Sequence, residues 1–138
     1  MSYKIIGKYI KSLKFEIPNA KTFFLLGEDI SNYKINVDIK SNQIKEKIVE
    51  IDTTLALIPV KDNFEKINVS IVYSAIIELD IKIEEKKKLE KIILIEVPTA
   101  IYGNVREIFV NVFEQSGFKD IKIDKKVDFE KLYNLRKN

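Results

Sequence analysis

The side chains in this sequence best placed to do chemistry are two pairs of carboxylates, Glu50 with Asp52 and Glu78 with Asp80. Residues two apart point to the same side of an extended strand. Each pair could therefore act as general acid and base, or hold a hard cation through oxygen. The simpler reading is the solvated face of a strand. Composition removes most other catalysts. Neither histidine nor cysteine occurs, which excludes thiolate–imidazole catalysis and the usual transition-metal sites. The glycines, Gly7, Gly27, Gly103 and Gly117, are not spaced as a phosphate-cradling loop. The expectation is a protein with no catalytic residues, no cofactor and no metal.

Charge narrows the partners. The formal net charge is +3, and among the basic residues only Arg106 and Arg136 are arginine. Arginine supplies the bidentate fork that phosphate and base recognition favour, so nucleic acid is not an expected partner. No apolar run approaches a membrane span and no charged leader precedes an apolar stretch, which predicts a cytoplasmic protein without membrane insertion. At 138 residues and 46% apolar content, the chain suits one domain, residues 1–138, with a sizeable core.

The strongest patterns are those of strands. From Tyr3 to Ile17, six of the eight odd positions are apolar against two of the seven even ones, the period-2 signature of a half-buried strand. Pro18-Asn19 then stops it. Phe23-Phe24-Leu25-Leu26-Gly27 is an apolar cluster too short for a helix assignment, either plugging the core or forming an exposed apolar surface. Lys34 to Lys40 alternates Ile35, Val37 and Ile39 against polar residues until Ser41-Asn42-Gln43 interrupts. Ile48 to Ile58 ends at Pro59, and a hairpin through Lys61-Asp62-Asn63 leads to a strand over Ile67 to Leu79. The first half reads as an antiparallel meander with one apolar face that needs a cover.

The cover lies C-terminal. Glu84 to Glu96 could start as a helix, which Pro98 breaks. Thr99 then caps a helix with apolar residues at Ile101, Val105, Ile108, Phe109, Val112 and Phe113, a helical stripe ended by Gly117. Ile121-Lys122-Ile123 reads as extended. Asp128 caps a last helix with Phe129, Leu132, Tyr133 and Leu135 on its apolar side. The fold class is α+β: a four-stranded antiparallel sheet followed by C-terminal helices packed on one face. Strands this long in so small a domain predict a homo-oligomer.

Four segments in this order resemble the SecB-type protein-export chaperones. They are Tyr9 to Ala20 with Phe15-Glu16 and Pro18-Asn19-Ala20; Ile35-Asn36-Val37-Asp38-Ile39; Pro98 followed by Val105-Arg106-Glu107-Ile108; and Val127-Asp128-Phe129-Glu130-Lys131-Leu132-Tyr133. The resemblance implies a homotetramer built as a dimer of dimers, without cofactor or catalysis. It implies that unfolded preproteins are held in apolar grooves and passed to the export motor SecA. Ile35, Val37 and Ile39 match strand positions that touch clients, with ordinary core facing as the alternative. Ile101 and Tyr102 match apolar positions near the groove, where a core role is the stronger reading. Arg106 matches the family's helix arginine, for which an intramolecular ion pair would suffice; Phe15, Pro18 and Phe129 are assigned to the fold.

The departures from the family concern the motor. Its members are usually acidic, whereas this chain is +3. Glu16 is the one candidate for a motor contact, because Ser12 and the Ile71 to Tyr73 strand supply no further acid. The sequence ends at Leu135-Arg136-Lys137-Asn138 without an acidic tail. A SecB-like chaperone dedicated to one partner, such as the antitoxin of a toxin–antitoxin pair, is the first alternative. A carrier of a small apolar ligand in a closed sheet–helix cavity is the second.

Overall fold

A computed structural model describes residues 2–80 and 85–137. Glu84 and Asn138 lie outside the described residues. Four strands, β1 (Tyr3–Glu16), β2 (Tyr33–Lys45), β3 (Ile48–Pro59) and β4 (Asn68–Leu79), form one antiparallel sheet in the order β1-β4-β3-β2. The sheet is therefore not the simple meander expected. Only β2, β3 and β4 follow one another as hairpins, and β1 pairs with β4.

Helix α1 (Ala20–Asp29) explains the crossing. Asn19 caps it, its Oδ1 accepting from the Thr22 amide at 2.8 Å. Its ten residues span about 15 Å at 1.5 Å per residue. Three inter-strand spacings of about 4.8 Å cover nearly the same distance, so the helix carries the chain from one sheet edge to the other. The Phe23–Gly27 cluster is thus helical and does both things proposed for it: Leu26 is fully buried, while Phe24 is 84% exposed.

β1 keeps the expected length but not a single apolar face. Its register shifts between Ile5 and Gly7 and again between Ile10 and Ser12. Each bulge inserts an unpaired residue and reverses the alternation. Tyr9 lies opposite Ser74 on the outer face, whereas Leu13 and Phe15 lie opposite Ile71 and Val69 on the helix-covered face. β2 also departs from expectation, running through Ser41-Asn42-Gln43 to Lys45. Pairing with β3 overrides the weak strand preference of those residues. The β2–β3 turn places Lys47 at φ 67°.

Pro98 does not end a helix. Helix α2 (Lys86–Lys91), a π-helical turn (Ile92–Glu96) and helix α3 (Val97–Gln115) follow without a gap. The wide turn, closed by the Val97 amide on the Ile92 carbonyl, brings Pro98 into the first turn of α3, where its missing donor is tolerated. Thr99 accordingly is no N-cap; its hydroxyl donates to the Ile95 carbonyl at 2.6 Å. The other end matches expectation. Gly117 has φ 88°, its amide bonds the Glu114 carbonyl, and the Phe118 amide bonds the Phe113 carbonyl. This is a Schellman closure, sealed by the Phe113–Phe118 ring contact at 5.9 Å. Helix α4 (Phe129–Lys137) is capped by Asp128, whose Oδ1 accepts from the Lys131 amide at 2.9 Å. Ile121–Ile123 joins no strand, although Ile123 is buried.

The core lies between α3 and the middle of the sheet. Ile101, Val105, Phe109 and Phe113, spaced i, i+4, i+8 and i+12, pack with Ile51, Leu55, Ile71 and Ile77, all at most 1% exposed. Phe15 meets Phe113 edge-on at 4.9 Å. Phe113→Ala is expected to cost about 3–5 kcal/mol by leaving a cavity among three rings. Lys47→Gly relieves the left-handed backbone and is expected to add about 0.5 kcal/mol. Urea denaturation of both variants checks the opposite signs.

Candidate binding groove

β2 is an edge strand with β3 as its ladder partner. Its alternation puts Ile35, Val37, Ile39 and Ser41 on the side of the sheet that the helices cover, opposite Leu57, Leu55, Thr53 and Ile51. The helices do not cover all of them. Ile35 remains 36% exposed, and Val37 and Ile39 are half-buried. Three hollows follow one another along this strand. The first holds Ile35 with Tyr33, Leu57, Phe118 and Lys122. The second, about 260 Å³, lies between Val37 and Ile39 on one wall and Leu94, Leu132, Tyr133 and Leu135 on the other. The third joins Ser41 to Lys86, Leu89 and Ile93, sharing Leu94 with the second. Six residue steps along the strand take the chain from Ile35 to Ser41, a length of about 20 Å at 3.3 Å per step.

The wall opposite β2 is held by polar contacts at its base. The Tyr133 hydroxyl donates to Glu90 Oε2 at 2.8 Å, which ties α4 to α2. That bond to a carboxylate raises the tyrosine pKa. Tyr102 donates its hydroxyl to the Asp124 carbonyl at 2.8 Å and meets the Phe129 ring at 6.1 Å. Arg106 Nε donates to the Ile123 carbonyl at 3.2 Å, a backbone contact rather than an ion pair. α4 is thereby fixed with Phe129 and Tyr133 buried, while Leu132 and Leu135 stay 41% and 64% exposed beside the groove.

The nominated residues separate cleanly. Val37 and Ile39 come together in the central hollow and Ile35 lies in its neighbour. Ile101 and Tyr102 are 0% and 4% exposed and do not line the groove; one belongs to the core and the other positions the α3–α4 connection. Glu16 is exposed on the outer face of β1, accepting from Asn68 Nδ2 at 3.4 Å. Leu94, Leu132 and Leu135, which complete the central hollow, carry no binding signal of their own in the sequence. Leu132 and Leu135 were legible only as part of an apolar helix side, and Leu94 sits in a π turn whose phase no 3.6-residue pattern predicts.

Of the two carboxylate pairs, Glu50, Asp52 and Glu78 are engaged by lysines on the outer face, and Asp80 lies past the end of β4. Lys11 Nζ lies 3.1 Å from Glu50 Oε1 and 2.9 Å from Asp52 Oδ2. Tyr9 donates to Glu50, and Ser74 Oγ donates to Asp52 at 2.6 Å. The hydrogen bonds to Asp52 and Glu50 raise the lysine pKa, so the ammonium stays charged. Glu78 pairs with Lys4 at 3.3 Å. Among the described residues, no cluster of three or more carboxylates could hold a metal, and no helix is long and apolar enough to cross a membrane.

The family profile described as "Preprotein translocase subunit SecB" matches residues 1–138. A putative protein-export protein SecB of Pelagibacter ubique is 40% identical over 137 residues, covering 99% of this chain and 98% of that protein. A protein-export protein SecB of Anaplasma marginale is 27% identical, with 94% and 79% coverage. Among solved structures, a Mycobacterium tuberculosis SecB-like chaperone in complex with a ChAD peptide from the HigA1 antitoxin superposes with a TM-score of 0.63. It covers 89% of this chain and 88% of its own at 8% identity, a likeness of fold alone. The chain belongs to the SecB family of protein-export chaperones.

Proposed function

We propose that this chain is an ATP-independent cytoplasmic holdase that keeps unfolded preproteins export-competent by holding apolar segments in the groove along β2. The observation that carries the reading is the central hollow, where β2 and α4 leave Val37, Ile39, Leu94, Leu132 and Leu135 facing one another without filling the space. Apolar burial yields about 25 cal/mol per Å² and does not discriminate among side-chain shapes. A client burying about 200 Å² there would gain about 5 kcal/mol before the ordering costs, so one groove binds weakly and reversibly. Several grooves engaging one long chain would supply the avidity. The exposure of Leu132 and Leu135 favours this open site over a closed carrier pocket.

A homotetramer, arranged as a dimer of dimers, belongs to the same proposal. Its support is the edge strand β1, which carries Ile6, Ile10 and Leu13 exposed by 51%, 46% and 43%. Delivery to SecA draws its support from the export names of the relatives and from the exposed Glu16, while Lys11 neutralises the neighbouring Glu50 and Asp52. A second reading, service to one antitoxin, is favoured by the antitoxin peptide bound to the M. tuberculosis neighbour. A pull-down from the native cell separates them: many clients, with SecA, support export, and a single small partner supports the dedicated chaperone.

The purified protein is expected to suppress aggregation of an unfolded polypeptide without ATP. Val37→Asp with Ile39→Asp, and separately Leu135→Asp, are expected to weaken client affinity by about tenfold or more, as charge is forced into an apolar contact. Circular dichroism should stay unchanged, most safely for the exposed Leu135. A wild-type protein without affinity for any unfolded chain would contradict the proposal. Native mass spectrometry is expected to give four copies, and a persistent monomer at micromolar concentration would remove the tetramer.

A further inference from the structure

The backbone of β2 has a free side. The Val60 amide bonds the Asn32 carbonyl at 2.8 Å, so that pair exchanges hydrogen bonds across the β2–β3 boundary. In an antiparallel ladder such pairs alternate with pairs whose amides and carbonyls point away from each other. Along the register, Lys34, Asn36 and Asp38 therefore turn their backbone groups toward β3, and Ile35, Val37, Ile39 and Ser41 turn theirs outward. The next ladder agrees: the Leu79 amide bonds the Lys47 carbonyl at 2.7 Å, which gives the odd-numbered residues of β3 to β4 and leaves the even-numbered ones for β2. Among the described residues β2 has no second strand neighbour, and no backbone group bonds its outward amides. The two edges of the sheet also differ. β1 is broken by two register shifts and carries Lys8 and Lys11, devices that blunt an edge against pairing. β2 keeps an unbroken register from Tyr33 to Gln43.

We propose that a client segment joins this edge as a fifth strand, its backbone bonded to Ile35, Val37 and Ile39 and its alternate side chains entering the hollows. The inference rests on the holdase reading and adds the class of client: extended segments of about six residues with free amides. The residues with open backbone groups are the same ones whose side chains line the hollows. They recur every second residue, about 6.6 Å apart, which is the repeat of any extended chain laid beside them. Backbone hydrogen bonds are the same for every sequence except at proline, so the edge adds affinity without narrowing the choice of side chains. A helical segment has its amides bonded internally and gains only the apolar contact.

The test titrates a labelled peptide with alternating Leu and Ser against the full-length protein. Two variants carry esters in place of amides, one at every Leu and the other at every Ser, which removes donors and keeps the shape. A loss of about tenfold or more is expected in one variant and little in the other, because only one set of amides can face β2. Val37→Pro removes one outward amide and keeps three side-chain carbons. It is expected to weaken the unmodified peptide more than Val37→Ala, which keeps the amide. Proline is tolerated on an edge strand where the amide faces away from the ladder, and circular dichroism checks the fold. Equal losses in the two ester variants, no loss in either, or Val37→Ala as damaging as Val37→Pro would overturn the strand pairing alone. A change of oligomer size on Val37→Pro, read by native mass spectrometry, would give the edge to a second copy and overturn it too. Failure of the peptide and of an unfolded protein alike to bind would overturn the holdase reading with it.

Discussion

The packing of α3 on the middle of the sheet is the constraint from which the rest follows. The helix presents Ile101, Val105, Phe109 and Phe113 to β3 and β4, and every one of these side chains is fully buried. A helix with its side chains is about 10–12 Å across. Four strands about 4.8 Å apart make a wider surface than that. One helix therefore covers the two central strands and leaves the flanks short of cover. On the β1 side Ile10 and Leu13 stay exposed; on the β2 side Ile35 stays exposed and Val37 and Ile39 half-buried. The groove is a consequence of how the core is closed, with α4 supplying its far wall.

The sheet's two faces then serve different ends. On the outer face Lys11 neutralises Glu50 and Asp52, and Lys4 pairs with Glu78. A bulge at β1 brings Lys11 over Glu50 and Asp52, and Tyr9 and Ser74 complete the contacts. The helix side keeps apolar surface open. A chaperone that must release what it binds benefits from such a site, which offers apolar contact without shape selection.

Much of this was legible in the sequence because local signals agreed with the tertiary result. The alternation of Ile35, Val37 and Ile39, the stripe from Ile101 to Phe113, the Gly117 stop and the Asp128 cap all appear where expected. The failures have physical causes. Bulges reverse a strand's alternation without leaving a composition signal, so the odd-position pattern from Tyr3 to Ile17 does not reveal that Tyr9 lies on the outer face. Pro98 reads as a break in the sequence because the compensating π turn depends on the packing of Ile92 and Val97, both buried. Ile101 and Tyr102 carry the apolar character of a binding site, but the sheet core buries Ile101, and α4 with the Asp124 segment buries Tyr102, long-range events that spacing does not encode. The far wall of the groove is invisible to spacing for the same reason.

Site-specific photo-crosslinking tests the central claim most directly. A photoreactive residue at Leu135 or Val37 faces the groove, and one at Lys14 faces the outer sheet. With an unfolded preprotein added, strong crosslinks from Leu135 and Val37 and little from Lys14 are predicted. Crosslinks from Lys14 with none from the groove positions would contradict the account.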